Sequence, residues 1–395
     1  MKIKYFLLSM LSVSLLVGCQ RKQKDFTKTI TVKNKLGFNR EEVVSISKQK
    51  LTKFLKNNNP EYLHIKRVGD SSFLRKQWID NDLDGNNDAF LFLAEVSANS
   101  TVQYELVLDS TVTEPESDVV AYSRFVPERT DDYTWENDKV AFRTYGPKGQ
   151  EGFLKGVSGS TMSSGIDLWL KRTSKSIIND WYEGYQKDPR YYHVDRGEGY
   201  DPYHVGNSRG TGGIGVWEND SLYVSRNFTS YKTIAYGPLR TVFELSYAPW
   251  SPYNVNETKR ITLDLRSNFS KFELTLSADD SIPNYAIGIS LHENKGVYAI
   301  YEDEGWLRHW EKIDGTLVGE GIVMNPEEID SAFARKTEVS DQSNLLVIAK
   351  PTQKLTYYAG FAWVKAGNIT TVEGWDKKLK QKAKELQNPL EISFE

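Results

Sequence analysis

The chain has 395 residues and a formal net charge of −3, with acidic and basic residues mixed along its length. The absence of a basic stretch argues against a nucleic-acid-binding protein, and the length allows one large hydrophobic core or two domains. Because Cys19 is the only cysteine, an internal disulfide bond is excluded.

The N-terminal segment has the pattern of a bacterial lipoprotein signal. Two lysines precede an apolar run over residues 6–17, and a small residue stands directly before Cys19. A charged start, an apolar stretch too short to span a bilayer and a small-residue cleavage site are typical of secretion. We expect residues 1–18 to be a signal peptide, Cys19 to carry the lipid, and residues 19–27 to be a polar tether. The predicted location is the outer membrane, with the chain facing the periplasm or the cell surface.

Strand-like segments dominate residues 28–395. Alternating or continuous runs of β-branched and aromatic residues, broken by Gly, Pro, Asn and Asp, are typical of antiparallel strands. The clearest predicted strands are residues 89–96, 102–108, 241–247, 261–265, 271–276, 296–301, 345–350 and 355–365. Since no fixed-period repeat and no Pro- or Ser-rich hinge divides the chain, we expect residues 28–395 to form one large antiparallel β-sandwich domain.

Helical patterns are few. Residues 41–55 form a predicted early helix, and residues 174–186 carry their large apolar side chains on one side. Near the C-terminus, Thr370 and Glu373 make a capping box ahead of apolar residues at helical spacing. We therefore expect a few peripheral helices, one of them at the C-terminus.

An acidic loop precedes the predicted strand 89–96. Asp80, Asp82, Asp84 and Asp88 alternate with Asn and Gly, and carboxylates in such a turn are the oxygen ligands that Ca²⁺ prefers. Leu91 stands where an EF-hand has Glu, which excludes that motif. An Asp/Asn/Gly turn before a strand also forms without metal. We expect no required cofactor and, at most, a structural calcium ion held by these four aspartates.

Arg143 and Tyr145 are two residues apart on an alternating strand, so their side chains project from the same face. With the preceding Trp135 they could bind a sugar, because an aromatic ring stacks on it and a guanidinium holds a carboxylate. The alternative is that Arg143 forms a structural ion pair with an acid among residues 131–136.

Residues 191–213 combine glycines with reactive side chains more densely than any other segment. Glycine lets a backbone turn tightly, and histidine is the side chain that changes charge most readily near neutral pH. A loop rich in both is expected to build a site. Its candidate residues are His193, Tyr200, Tyr203, His204 and Arg209. Outside the loop, His292 and His309 could face the same cleft, although histidines at strand ends are often structural.

Four motifs occur together and in this order in one known family. They are WEND…AFRTYGP from Trp135, SGIDLWLKR at residues 164–172, HVDRGEGYDPYHVG at residues 193–206 and GPLRTVFELSY at residues 237–247. By these motifs the chain resembles a domain-of-unknown-function family of lipoproteins and secreted proteins from polysaccharide-degrading Bacteroidota. That family resembles an oligosaccharide dehydratase of ulvan breakdown and, in fold, the galactose-mutarotase-like supersandwich.

The resemblance implies a carbon–oxygen lyase that acts on uronic-acid-containing oligosaccharides from marine or plant polysaccharides. Loss of the 4-hydroxyl from a non-reducing-end uronate gives a 4,5-unsaturated sugar. The reaction needs a group that stabilises the carboxylate, a base for C5–H and an acid for the hydroxyl. The candidates are Arg143 and Arg209 for the first role, and His193, His204, Tyr200 and Tyr203 for the other two.

Other functions fit the same residues. Exposed Trp and Tyr with a calcium loop would suit a lipid-anchored glycan-binding protein without catalytic activity. Two carboxylates at a defined separation would suit a glycoside hydrolase, and the mutarotase-like fold permits epimerisation. The carboxylate candidates are Glu136, Asp138, Glu198 and Asp201. In every case the expected partner is an oligosaccharide.

Overall fold

Antiparallel β-sheets with a few peripheral helices make up residues 26–394, the part of the chain that the computed structural model describes. The prediction of a mainly β fold built as a large antiparallel sandwich is confirmed. The predicted signal peptide and Cys19 lie outside the described residues. Within residues 26–394, no helix is long and apolar enough to cross a membrane.

The N-terminal part packs two small sheets against each other. Its strands are β1 (Phe26–Lys33), β2 (Arg40–Ser47), β3 (Leu63–Arg67), β4 (Lys76–Ile79), β5 (Ala89–Val96) and β6 (Thr101–Leu108). One sheet has the order β25-β1-β6-β3, in which β25 is the C-terminal strand Glu391–Phe394, and the other has the order β2-β5-β4. Phe90, Phe92 and Tyr104 belong to the hydrophobic core between them.

The helix predicted for residues 41–55 is wrong in its first half. Residues 40–47 are strand β2, paired with β5, and only α1 (Lys48–Leu55) is helical. The reason is the run of β-branched residues, since Val43, Val44 and Ile46 lose side-chain freedom in a helix and pack well on a pleated strand.

The main body contains three sheets. The first has the order β11-β10-β9-β8-β7, from β7 (Tyr122–Val126), β8 (Asp132–Glu136), β9 (Ala141–Thr144), β10 (Asp167–Lys171) and β11 (Gly199–Tyr200). The second has the order β13-β12-β18-β23-β22, from β12 (Thr211–Glu218), β13 (Ser221–Tyr223), β18 (Tyr285–Ser290), β22 (Ile329–Arg335) and β23 (Asn344–Ala349).

The third sheet has eight strands in the order β14-β15-β16-β17-β24-β21-β20-β19. They are β14 (Ser230–Ala235), β15 (Arg240–Ser246), β16 (Asn256–Asp264), β17 (Phe269–Ser277), β19 (Val297–Tyr301), β20 (Trp306–Ile313), β21 (Thr316–Met324) and β24 (Lys354–Trp363). One hydrophobic core joins the three sheets, because Phe142, Ile287 and Phe272, one from each sheet, lie in the same buried cluster.

The remaining helices are α2 (Pro147–Leu154), α3 (Ile178–Lys187) and α4 (Val372–Gln387). Helix α3 lies within the segment predicted from residues 174–186 except for its last residue, and its Trp181 packs on Trp169 of β10. Helix α4 confirms the C-terminal helix. Its N-cap is Thr371 rather than the predicted Thr370, because the Thr371 hydroxyl accepts the Gly374 N–H at 3.1 Å.

Candidate functional site

Residues 191–213 connect α3 with β12 and are tied to two sheets. Tyr200 lies in β11, which pairs with β10. Further along, Gly210 bridges to Ile166, and its carbonyl accepts the Ser290 N–H at 2.8 Å. The sheets on both sides therefore fix where the side chains of this segment point.

Gly199 lets the segment approach β10 closely. It has φ +126°, and a Cβ there would lie 1.9 Å from the Leu170 carbonyl oxygen, whereas Gly197 has φ +106° with nothing within 4 Å. We expect Gly199→Ala to lower the free energy of unfolding by about 1–3 kcal/mol more than Gly197→Ala, because a backbone clash adds to the same φ strain. Urea denaturation of both variants measures this difference, and equal losses would contradict the expectation.

Arg143 lies in a buried network of carboxylates and phenols. Its Nε and Nη2 donate to Asp167 Oδ2 at 2.8 and 2.5 Å, and Nη2 also donates to Asp201 Oδ2 at 2.9 Å. Its Nη1 donates to the Tyr192 hydroxyl at 3.2 Å, and the Tyr145 hydroxyl donates to Asp167 Oδ2 at 3.1 Å. We call Arg143, Asp132, Tyr145, Asp167, Tyr192 and Asp201 the Arg143 cluster.

The Arg143 cluster holds more acidic groups than one guanidinium can neutralise. Asp132 Oδ2 lies 3.8 Å from Arg143 Nη1, and burial raises the pKa of Asp132 to about 6. Burial and the adjacent charge of Asp167 raise the pKa of Asp201 well above its usual range. One oxygen each of Asp132, Asp167 and Asp201 has no hydrogen-bond partner among residues 26–394. Burial therefore favours the protonated form of Asp132 and Asp201 more than water does.

His193 links this buried cluster to the surface. Its Nδ1 lies 2.8 Å from the carbonyl oxygen of Asp201, and 46% of its side chain is exposed. A carbonyl oxygen only accepts, so Nδ1 carries the proton and Nε2 keeps its lone pair. Burial lowers the pKa of His193, which favours the neutral ring. His193 thus has the geometry of a general base.

Arginine side chains border the same stretch of chain. Arg190 and Arg196 flank His193 in sequence, and their side chains are 85% and 41% exposed. Arg196 lies over the Tyr191 ring at 4.2 Å, and Arg172 donates to Asp195 Oδ1 at 2.9 Å. Arg190 Nε and Arg196 Nη2 lie 3.7 and 3.8 Å from the Asp188 carboxylate, so an anionic ligand would share these two guanidinium groups with that acid.

A second network forms where Tyr203 meets the eight-stranded sheet. Glu320 Oε1 accepts the Tyr203 hydroxyl at 2.5 Å and the Thr211 hydroxyl at 2.7 Å, and Glu320 Oε2 lies 3.0 Å from His309 Nδ1. His292 Nδ1 lies 2.6 Å from Glu311 Oε1. We call Tyr203, His292, His309, Glu311 and Glu320 the His309 cluster.

His292 is held in its protonated form. Its two ring nitrogens face Glu311 Oε1 and the carbonyl oxygen of His204, the latter at 2.8 Å, so both must donate. Burial alone would lower the pKa of His292, but the hydrogen bond and charge of Glu311 outweigh burial and raise it to about 9. The backbone of His292 has φ 45°, a strained value for a residue with a side chain.

The raised pKa of His292 predicts a pH-dependent stability. Because the folded pKa of about 9 lies above the ordinary 6.5, protonation stabilises the fold fully below pH 6.5, and this contribution is lost as the pH rises through 9. We expect the free energy of unfolding, measured by urea denaturation from pH 6.5 to 9, to fall less in His292→Gln than in the wild type. The exposed His204 provides a control variant, His204→Gln, which should keep the wild-type slope. Equal slopes in all three proteins would contradict the prediction.

Comparison with known proteins identifies the family. The family model described as Domain of unknown function (DUF4861) matches residues 32–392. The chain belongs to this family. A relative named Uncharacterized protein P7, from Formosa agariphila, is 43% identical over 380 residues, which covers 95% of each chain. The predicted resemblance of the four motifs to a domain-of-unknown-function family is therefore confirmed.

Two solved structures from Enterococcus faecalis share the fold. One is titled a protein in the Glycosyl Hydrolase Family 38 and is 11% identical, with a TM-score of 0.50 over 94% of this DUF4861 chain. The other, titled an alpha-mannosidase, is 10% identical, with the same TM-score and coverage. The DUF4861 chain spans only 47% and 46% of their respective lengths. At such identities the similarity is one of fold alone.

The four residues predicted to be catalytic do not form one cluster. The Tyr200 hydroxyl donates to Asp314 Oδ2 at 3.0 Å, and burial together with that bond raises the pKa of Tyr200 to about 12. His204 is exposed, with Nε2 3.2 Å from Asp341 Oδ1. No hydrogen bond between described residues joins any two of the predicted set, which is His193, Tyr200, His204 and Arg209.

Arg209 is fully buried between the sheets. Its Nη1 donates to the Ser164 hydroxyl at 3.0 Å and to the Ile214 carbonyl at 3.2 Å. Burial lowers its pKa to about 10, and among the described acidic side chains none lies within ion-pair distance of it. This environment favours a structural role over binding of a substrate carboxylate.

The three residues predicted to bind a sugar, Trp135, Arg143 and Tyr145, are also buried. Trp135 has no exposed surface and donates from Nε1 to the Ser270 hydroxyl at 2.9 Å, so its ring offers no face to a sugar. Arg143 and Tyr145 point into the Arg143 cluster, where their polar groups are already bonded. The geometry favours the alternative of a structural ion pair, with Asp167 and Asp201 as the main carboxylates.

The acidic loop keeps three of its four aspartates together. Carboxylate oxygens of Asp80, Asp82 and Asp88 lie within 4.8 Å of one another, without Asp84. Asp80 accepts the backbone N–H groups of residues 83 and 85 at 2.8 and 2.7 Å, so the turn is held by its own hydrogen bonds. The structural calcium ion stays a prediction.

Sequence reasoning missed Asp167, Glu311 and Glu320. Asp167 stands in the SGIDLWLKR motif, and Glu311 follows His309 at the two-residue spacing of a strand, so a sequence pattern could have identified both residues. No sequence pattern identifies Glu320, because it lies opposite His309 only through the pairing of β20 with β21.

Proposed function

We propose that this chain is a carbohydrate-active enzyme, specifically a carbon–oxygen lyase that dehydrates the non-reducing-end uronate of an oligosaccharide. The fold shared with two glycosidase-titled structures supports a carbohydrate substrate. His193 supports the chemistry, because a neutral, partly exposed imidazole is oriented from behind by Asp201. The proposal needs no cofactor, and in it the lipid on Cys19 anchors the enzyme in the outer membrane.

In the proposed reaction His193 Nε2 takes the C5 proton of the uronate. The electrons of the C5–H bond form the C4=C5 double bond, the C4–O bond breaks, and the 4-hydroxyl takes a proton and leaves as water. The Nδ1–H of His193 stays bonded to the Asp201 carbonyl, which holds the ring in place as it becomes an imidazolium. Such orientation of a base typically contributes about 10²–10⁴-fold in rate.

Two further roles complete the proposal. The partly exposed guanidinium groups of Arg190 and Arg196 hold the uronate carboxylate, whose charge grows as the C5 proton leaves. The departing hydroxyl takes its proton from solvent, because Tyr200 is only 5% exposed and its hydroxyl donates to Asp314.

Glycoside hydrolysis is the alternative that the shared fold suggests. It requires two carboxylates on either side of an open cleft. In the Arg143 cluster, Asp167 and Asp201 are buried, and both side chains contact the same Arg143 nitrogen. This geometry disfavours hydrolysis by that pair.

The test is incubation with a panel of uronate-ended oligosaccharides, followed by the ultraviolet absorbance of the conjugated product and by mass spectrometry. Dehydration gives absorbance with the loss of one water and no shortening of the oligosaccharide. Glycosidic elimination gives absorbance with shorter products, and hydrolysis gives new reducing ends without absorbance. No absorbance across the panel, with binding shown by calorimetry, would refute a lyase.

A further inference from the structure

A cavity of about 430 Å³ lies between the N-terminal part and the main body, away from the residues of the proposed reaction. Its volume is within the range of about 300–1,000 Å³ that is usual for small-molecule sites. Its walls include Arg75, Lys76, Glu114, Pro115, Tyr122 and Tyr236. The GPLRTVFELSY motif, which the proposed reaction does not use, begins directly after Tyr236.

The cavity presents an exposed aromatic ring. Tyr236 is 60% exposed, the largest fraction among the exposed large hydrophobic residues of the described chain. Its ring meets Tyr122 edge-to-face, with ring centroids 5.3 Å apart. The contact with Tyr122 holds the Tyr236 ring in place, and the exposed part of that ring is available to a ligand.

The turn that carries Tyr236 is rigid. Gly237 and Ala121 exchange two backbone hydrogen bonds of 2.8 and 3.0 Å. The Gln77 side-chain oxygen accepts the N–H groups of Leu239 and Arg240 at 3.0 and 2.8 Å. Because the backbone on both sides of Gly237 is held in place, Tyr236 can stack on a ligand without ordering a mobile loop.

Polar side chains also line the cavity. Arg75 donates from Nη1 to the Val119 carbonyl at 2.7 Å and forms no ion pair within residues 26–394, which leaves its other N–H groups for a ligand. The Glu114 side chain is 44% exposed and lies 3.1 Å from Lys76 Nζ and 2.9 Å from His64 Nδ1. The cavity thus combines one aromatic face with hydrogen-bond donors and acceptors.

We infer that this cavity is a saccharide-binding subsite separate from His193. A sugar ring has an apolar C–H face, which stacks on Tyr236, and an edge of hydroxyl groups. These hydroxyls accept hydrogen bonds from Arg75 and donate them to Glu114. The inference rests on the cavity alone, and it holds whether or not the chain is a lyase.

The test is electrophoresis of the full chain through gels that contain soluble polysaccharides, either neutral or rich in uronic acid. We expect retardation of the wild type and of His193→Gln by at least one polysaccharide. Tyr236→Ala and Arg75→Gln should each weaken the apparent affinity about tenfold, the effect of one lost stacking or charged contact. Tyr298→Ala, which removes an exposed tyrosine of β19 outside the cavity, is the matched control and should behave as the wild type.

Three outcomes would overturn the inference. The first is the absence of retardation in every gel, and the second is unchanged affinity in both Tyr236→Ala and Arg75→Gln. Retardation that is lost in His193→Gln but kept in Tyr236→Ala would place binding at the proposed active site and would also overturn it. Failure of the lyase assay leaves these results unaffected, so the two proposals are tested separately.

Discussion

Replacement of Arg143 by methionine is expected to lower the free energy of unfolding by about 3–5 kcal/mol, the usual cost of breaking a buried ion pair by removing one partner. Arg143 is 5% exposed and donates to Asp167 and Asp201. Without the guanidinium, no lysine or arginine within residues 26–394 forms an ion pair with these two carboxylates, so they must take up protons or be hydrated. Either response destabilises the fold.

Urea denaturation at pH 7 measures this loss, and Arg124→Met is the matched control. Arg124 also pairs with a carboxylate, Glu128, at 2.6 Å, but both side chains are partly exposed, so we expect a loss of about 0–1 kcal/mol. The double variant Arg143→Met with Asp167→Asn should regain part of the lost stability, because it removes one of the uncompensated charges. A loss in Arg143→Met no larger than in Arg124→Met would show that the Arg143 cluster does not depend on its cation.

The sequence predicts the strands well, because strand formation depends mainly on local residue type and alternation. Residues 89–96 are strand β5 over their whole length, and the other predicted strands all overlap observed ones. The error at residues 41–47 has a local cause as well, since Val43, Val44 and Ile46 outweigh the charged residues around them. What local pattern cannot give is the order of strands in each sheet, which depends on contacts between distant residues.

The same limit applies to the candidate site. The density of glycine and histidine in residues 191–213 predicts a functional segment. It does not predict that the side chains of this segment separate into two networks. Asp201 joins the Arg143 cluster and Tyr203 joins the His309 cluster, although only one residue lies between them. Their partners, Asp167 and Glu320, come from different sheets, and no spacing in the sequence brings these acids to the segment.

His193→Gln is expected to lower kcat/KM for the dehydration by about 10²–10⁴-fold, the usual contribution of a general base. Glutamine keeps a hydrogen-bonding group near the Asp201 carbonyl but cannot accept a proton. Because nearly half of the His193 side chain is exposed, 46%, the free energy of unfolding should change little. Initial rates from the product absorbance measure the effect, and urea denaturation checks the fold.

The pH dependence and a second variant distinguish His193 from the other accessible histidine. Burial lowers the pKa of His193, so kcat/KM should rise with pH through a midpoint below the ordinary value of 6.5 and stay high above it. His204 has an exposed ring beside Asp341, so His204→Gln should keep most of the activity. If His204→Gln loses turnover and His193→Gln keeps it, the base is His204. The orientation of His193 by Asp201 would then be a structural feature of the Arg143 cluster rather than part of the reaction.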